Sequence, residues 1–266
     1  GIVIVLFKEG LPIFKVTSLG KFLFGKFWYP TYEPPEFGIL PLLLGSLWVT
    51  LGALIISVPL GVASAIYISE VASPKIKEFI KPVIELLAGI PSVVYGFFGM
   101  VIVAPLVAKF FNLPVGLNAF TASIILGIMA IPTITSISED AISAVPKRFK
   151  EASYALGANK WETTIRVTLP AAAGGISTAI ILGMARVIGE TMAVLMVAGG
   201  AAVIPRSFFQ PVRTMTATIA AEMGETVVGS LHFHALFAIA IVLFVITLSF
   251  NILVDLLAQR FRRRLG

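Results

Sequence analysis

The chain has 266 residues, of which 58% are apolar and only 13% charged, with a net charge of +6 and no cysteine. A soluble domain carries about 25% charged residues, so this composition excludes an ordinary soluble fold and indicates a polytopic membrane protein. The missing cysteines exclude disulfides and thiolate metal sites. The basic residues sit mostly in loops between apolar runs, where they read as topology signals rather than as a nucleic-acid surface.

In chain order, residues 1–7 are an apolar stub. A bilayer crossing needs about 20 apolar residues, so the stub reads as the end of a truncated first transmembrane helix. Residues 8–38 form a mixed, extracytoplasmic loop, in which Trp28, Tyr29 and Tyr32 are expected as interfacial anchors. Pro30, Pro34 and Pro35 prevent a continuous helix there. Five complete spans follow within a core at 39–258. They are Ile39 to Ile68, Pro82 to Ala108, Leu117 to Ile137, Val167 to Val203 and His232 to Ala258. With the stub this makes six helices in a single all-α membrane domain, 1–266. The second span is interrupted by Gly89, Pro91 and Gly96, which are candidates for the broken-helix backbone that transporter cavities use; a plain packing kink is an equal reading.

The loop at 139–166 is the longest polar interruption in the second half of the chain. It reads as two short amphipathic helices. Pro146 suits the first turn of the first helix, and Phe149, Ala152 and Leu156 recur on one face. Gly157 stands where a helix needs a left-handed C-terminal residue. Trp161, Ile165 and Leu169 mark the second helix, and Pro170 introduces the next apolar run. A short amphipathic helix followed by a fixed turn suits docking into another protein's groove. If this loop is cytoplasmic, so are the loop at 70–81 and the C-terminus. That side then holds twelve of the twenty basic residues and the opposite side seven, with Arg186 inside a span. The excess agrees with positive-inside orientation. The tail bearing Arg260, Arg262, Arg263 and Arg264 is expected to touch anionic lipid.

Leu182 to Gly199 concentrates the chemistry. An ionisable residue deep in a span costs at least about 2.5–3.5 kcal/mol on insertion scales and normally faces the bundle. Arg186 and Glu190 are four residues apart, hence on one face of a continuous helix. A guanidinium offers a rigid plane of donors to a tetrahedral oxyanion, and Glu190 could hold it in place between anions. A structural salt bridge between helices accounts for the pair equally well on physical grounds. Glu85 and Thr191 complete the candidate path residues; a helix-end carboxylate is an equal reading of Glu85. The hydroxyls of Thr133, Thr135, Ser136 and Ser138 are expected chiefly to bond their own helix backbone. His232, His234, Glu222 and Glu225 make a poor metal site.

Two sets of residues resemble a known family. Glu151, Ala152, Gly157, Val167, Leu169 and Pro170 match in type and spacing the "EAA" signature of ABC-importer permeases, with Ser153 and Val167 as small departures. The runs GMARVIGETMAV and LAGIPSVVYGFFG are similar to the PstC-type permeases of phosphate-specific ABC importers. The resemblance covers essentially the whole chain. It implies a type I ABC-importer permease bundle in the plasma membrane of a prokaryote, with a cytoplasmic C-terminus. The 139–166 loop would then be the coupling loop that meets the ATPase, through Glu151, Ala152, Leu156, Gly157 and Ala158. The implied partners are a PstA-like second permease, a cytoplasmic ATPase dimer and an extracytoplasmic phosphate-binding protein. ATP and Mg would sit on the ATPase. This chain shows no phosphate-cradling G-x-x-x-x-G-K-[ST] motif, since Gly20-Lys21 and Gly25-Lys26 are each followed by Phe, and no catalytic or metal constellation. Two other readings stay open: an ABC permease for sulfate or molybdate, and an ion-coupled secondary transporter, which leaves the EAA spacing unexplained.

Overall fold

A computed structural model describes residues 1–265, those at 254, 255 and 257–265 by backbone only. The arginine side chains of the tail therefore lie outside the described residues. The described residues are mostly helical. Among the described residues five helices are long and apolar enough to cross a membrane: Leu40–Val71, Ser92–Phe110, Ala119–Ser143, Lys160–Ile188 and Leu231–Leu253. The expected sixth is not among them, because the first helix, α1 (Ile2–Gly10), has nine residues.

Two compact units share the chain. The first contains α1, a 3₁₀ turn at Leu11–Lys15, α2 (Leu19–Phe24) and a two-stranded hairpin of β1 (Trp28–Tyr29) and β2 (Glu36–Phe37). Thus the segment expected as a loop at 8–38 is folded. Its apolar residues Ile13, Phe22, Trp28, Phe37 and Ile39 join Met215, Leu236 and Ile239 in one core cluster. Trp28 is accordingly no interfacial anchor: it is 3% exposed, and its indole N–H donates to Glu222 Oε2 at 3.0 Å. Tyr29 and Tyr32 are exposed and stack on each other at 4.9 Å. The same unit holds the start of α3 (Leu40–Ile66), α5 (Ser92–Phe98), a π-turn at Gly99–Val103, α6 (Ala104–Phe110) and the start of α7 (Ala119–Ser143).

The second unit holds the rest of α3 and α7, a π-turn at Tyr67–Val71, and α4 (Pro74–Ala88). It continues with α8 (Lys147–Ala155), α9 (Lys160–Thr163), a π-turn at Thr164–Thr168 and most of α10 (Leu169–Ile188). Small residues let its helices approach closely. A Cβ on Gly61 would meet Ile134 Cγ2 at 2.8 Å, and one on Gly183 would meet Ile134 Cγ1 at 2.6 Å. Ile134 is fully buried between these two glycines. Gly183→Leu should therefore cost about 1–3 kcal/mol through overpacking and lower the thermal midpoint in detergent; an unchanged midpoint would contradict this packing.

α4 departs from expectation. Lys75, Lys77, Glu78, Lys81 and Glu85 alternate with apolar residues, so the segment is an amphipathic helix and not the start of a span. It has no buried residue. The second span begins only at Ser92, after the chain breaks helix at Gly89-Ile90-Pro91. Gly96, expected at a break, lies inside α5. There a Cβ would meet Met196 Sδ at 2.7 Å and Ala193 Cα at 3.0 Å, so this glycine serves close packing against α11 (Met192–Val197).

Candidate functional site

Arg186 lies near the C-terminal end of α10, partly buried. Its Nη2 donates to the carbonyl of Ala88 at 3.2 Å, and its Nη1 to Thr133 Oγ1 at 3.3 Å. Ala88 is the last residue of α4, where a carbonyl has no following turn of helix to donate to it. A cation at this end also suits the helix dipole. Of the four expected hydroxyls, Thr133 thus accepts from Arg186. Thr135 bonds across to the Gly61 carbonyl at 3.2 Å instead of its own helix, and Ser138 Oγ is buried without a partner among the described residues.

Glu190 is not where a continuous helix would put it. α10 stops at Ile188, and the turn at Gly189 precedes α11. The i,i+4 relation with Arg186 is therefore lost. The Glu190 carboxylate instead accepts from the Ala193 backbone N–H at 3.2 Å, at the start of α11, where a negative charge is favoured. Its carbonyl accepts from Thr216 Oγ1 at 2.8 Å. Thr191 donates to the Gly189 carbonyl at 3.3 Å. Helical-wheel reasoning on 182–199 has no means of placing this break, although Gly189 is its one local signal. Glu85 is exposed on α4.

The polar loop takes the anticipated helix–glycine–helix form, except that its second helix is the beginning of the span Lys160–Ile188 and not a separate short helix ahead of Val167. α8 ends in a Schellman turn: Gly157 N–H bonds the Tyr154 carbonyl at 2.9 Å and Ala158 N–H the Ser153 carbonyl at 3.2 Å. Gly157 has φ +85°, the left-handed geometry that the spacing called for. Asn159 then opens α9 with a capping box to Glu162, both bonds at 2.9 Å. Ser153 Oγ and Thr163 Oγ1, 2.9 Å apart, tie α8 to α9. The result is a rigid elbow with Leu156 90% and Trp161 64% exposed at its tip. Glu151 and Ala152 are exposed on α8 as well. Apolar side chains held bare on a fixed elbow suit insertion into a partner's groove.

Beneath the elbow, Lys150 Nζ meets Glu70 Oε1 at 2.5 Å. Glu139, 3% exposed, receives Lys77 Nζ at 2.5 Å and Lys81 Nζ at 3.0 Å. Hydrogen bonds to Glu139 and Asp140 hold the Lys81 ammonium above its usual pKa. Sequence reasoning misses this cluster because its members lie about sixty residues apart and each reads alone as a loop or helix-end charge. Glu222 is a second such centre. It accepts from Trp28, from Arg213 Nη1 at 2.6 Å and pairs with His232 Nε2 at 2.8 Å. That carboxylate is satisfied by protein donors, and among the described residues no group of three metal-ligating side chains occurs.

Comparison with known proteins places the chain. Residues 57–263 match the family described as "Binding-protein-dependent transport system inner membrane component". A probable ABC transporter permease protein, YqgH, of Bacillus subtilis is 42% identical over 97% of this chain and 84% of its own length. The phosphate transport system permease protein PstC of Mesorhizobium japonicum is 36% identical, covering 92% of this chain and 80% of its own. PstC of Haemophilus influenzae is 35% identical, with 93% and 83% covered. Among solved structures, a bacterial alginate ABC transporter chain superposes with a TM-score of 0.65 at 14% identity, over 97% of this chain and 90% of its own. A chain of the MetNI methionine ABC transporter, in an inward-facing conformation, gives 0.61 at 18% identity, over 84% and 94%. The fold is that of ABC-importer permeases.

Proposed function

The chain belongs to the binding-protein-dependent transport system inner membrane components, and from that premise we propose that it is the permease subunit of an ATP-driven importer of inorganic phosphate. The observation that carries this reading is Arg186. Its guanidinium is partly buried in an apolar helix, and its two partners, Thr133 and Ala88, are both neutral. A cation so placed is costly until an anion completes it. Its planar fork of donors, only partly used, matches a tetrahedral oxyanion. Phosphate is favoured over sulfate or molybdate by the relatives that carry phosphate in their names.

In this account Glu85, Glu190 and Thr191 are further path residues. Glu151, Ala152, Leu156, Gly157 and Ala158 form the contact with a cytoplasmic ATPase dimer, and a PstA-like permease completes the pathway. A phosphate-binding protein delivers the anion from outside, and the coupling elbow and the C-terminus face the cytoplasm of a prokaryote. ATP closes the ATPases, the elbow follows, and the pathway changes the side on which it opens. A loaded binding protein biases one state only through differential affinity. Arg186 must hold the anion briefly, since tight binding would trap it.

Detergent extracts of the native membrane test the reading. The chain should bring an ATPase with it, and hydrolysis in reconstituted vesicles should rise severalfold when phosphate-loaded binding protein is added. A chain that purifies without an ATPase yet moves phosphate down an ion gradient would make it a secondary transporter.

A further inference from the structure

The coupling elbow and Arg186 are joined inside the second unit by polar contacts that alternate with short stretches of backbone. Lys150 of α8 reaches Glu70 in the π-turn that ends α3. Beside Glu70, Ser69 Oγ lies 3.1 Å from Ser143 Oγ, and Ser143 donates to Glu139 Oε1 at 2.8 Å. Glu139 is the hub, its side chain 4% exposed, with Lys77 and Lys81 on it at 36% and 42%. The two lysines stand one helical turn apart on α4, and Ala88, the last residue of α4, supplies the carbonyl that Arg186 holds.

α4 itself buries no residue. Of its apolar side chains only Ile80, Ile84 and Ala88 are even half-buried, so apolar packing holds its register weakly. A directional contact is needed to fix the register. A buried carboxylate is an expensive way to join helices, and apolar side chains of equal volume usually join them as well. What such a carboxylate adds is one geometry: two ammonium groups and one hydroxyl converge on the same two oxygens.

We propose that Glu139 is a positioning residue for transport. With Lys77 and Lys81 it clamps α4 to α7 throughout the cycle, so that the Ala88 carbonyl, and Arg186 with it, moves as one body with the coupling elbow. The inference rests on the reading of Arg186 as the anion-binding residue. Without the clamp, α4 slips against α7, motion of the elbow no longer reaches Arg186 faithfully, and ATP is spent without phosphate crossing.

The chain has no cysteine, so thiol chemistry tests the clamp on a clean background. The complex is reconstituted with its ATPase and binding protein, and phosphate moved per ATP hydrolysed is measured. Glu139→Gln should lower that ratio at least fivefold while hydrolysis persists. A Lys81→Cys, Glu139→Cys pair should behave like Glu139→Gln when free, and regain most of the ratio once bridged by a short bifunctional thiol reagent. A purely structural residue would lower both activities together and gain nothing from the bridge. An unchanged ratio in Glu139→Gln overturns the proposal, as does a bridged pair that assembles but stays uncoupled or stops transport, since α4 must then move on α7. Should the cysteine pair fail to assemble, the Glu139→Gln ratio decides alone. Wild-type complex in the same vesicles separates the two claims: if it carries another anion, the phosphate reading fails, and the ratio is taken with that anion.

Discussion

Replacing Arg186 with glutamine should lower phosphate uptake about 10–100-fold while the complex still assembles. Hydrogen bonds to a charged group contribute about 1.5–3 kcal/mol each, and about 1.4 kcal/mol is a factor of ten. The loss should fall on uptake rather than on assembly, because the partners of Arg186 are a hydroxyl and a carbonyl. Neither becomes an unpaired buried charge when the guanidinium is removed. Arg186→Lys keeps the charge but loses the planar fork, so its uptake should lie between those of the wild type and Arg186→Gln. Radiolabelled uptake beside size-exclusion profiles of the complex separates the outcomes. A complex that falls apart in Arg186→Gln would mean that the residue is a structural tie.

The second large effect is expected at Gly157. Its φ of +85° disfavours L side chains, by about 1–2 kcal/mol for a typical residue and more for a β-branched one. No atom lies within 4 Å of a Cβ built there, so the penalty is conformational and not a clash. Gly157→Val should open the Schellman turn and free Leu156 and Trp161 from their fixed relation. ATP hydrolysis should continue while phosphate moved per ATP falls severalfold. Asparagine tolerates the left-handed region, so Gly157→Asn should keep much of the coupling. Normal coupled transport in the valine variant would remove the elbow from the coupling pathway.

Much of this was legible in the sequence, and the misses have identifiable causes. Hydropathy located five spans because a bilayer crossing needs a long apolar run, whatever its packing. The left-handed glycine at the end of α8 was legible because a Schellman turn is local: helix, Gly and next cap lie within a few residues. The start of the second span was misplaced since α4 carries enough apolar residues to extend a hydropathy window, although its lysines face Glu139. The break between Arg186 and Glu190 was missed because a helical wheel presumes continuity, and Gly189 alone does not distinguish a turn from a packing site. Trp28 reads as an interface residue, yet it is buried in a core cluster with Leu236 and Ile239, and its indole donates to Glu222, 194 residues away. The Glu139 clamp was invisible for the same reason: long-range ion pairs leave no periodic trace.

The most direct test is ATP-dependent uptake of labelled phosphate into proteoliposomes that hold the chain with its co-purified partners and binding protein, challenged with excess sulfate and molybdate. The account predicts uptake that requires ATP and is unaffected by both competitors. Uptake that continues without ATP would contradict it outright, and uptake blocked by either competitor would keep the permease but assign it a different oxyanion.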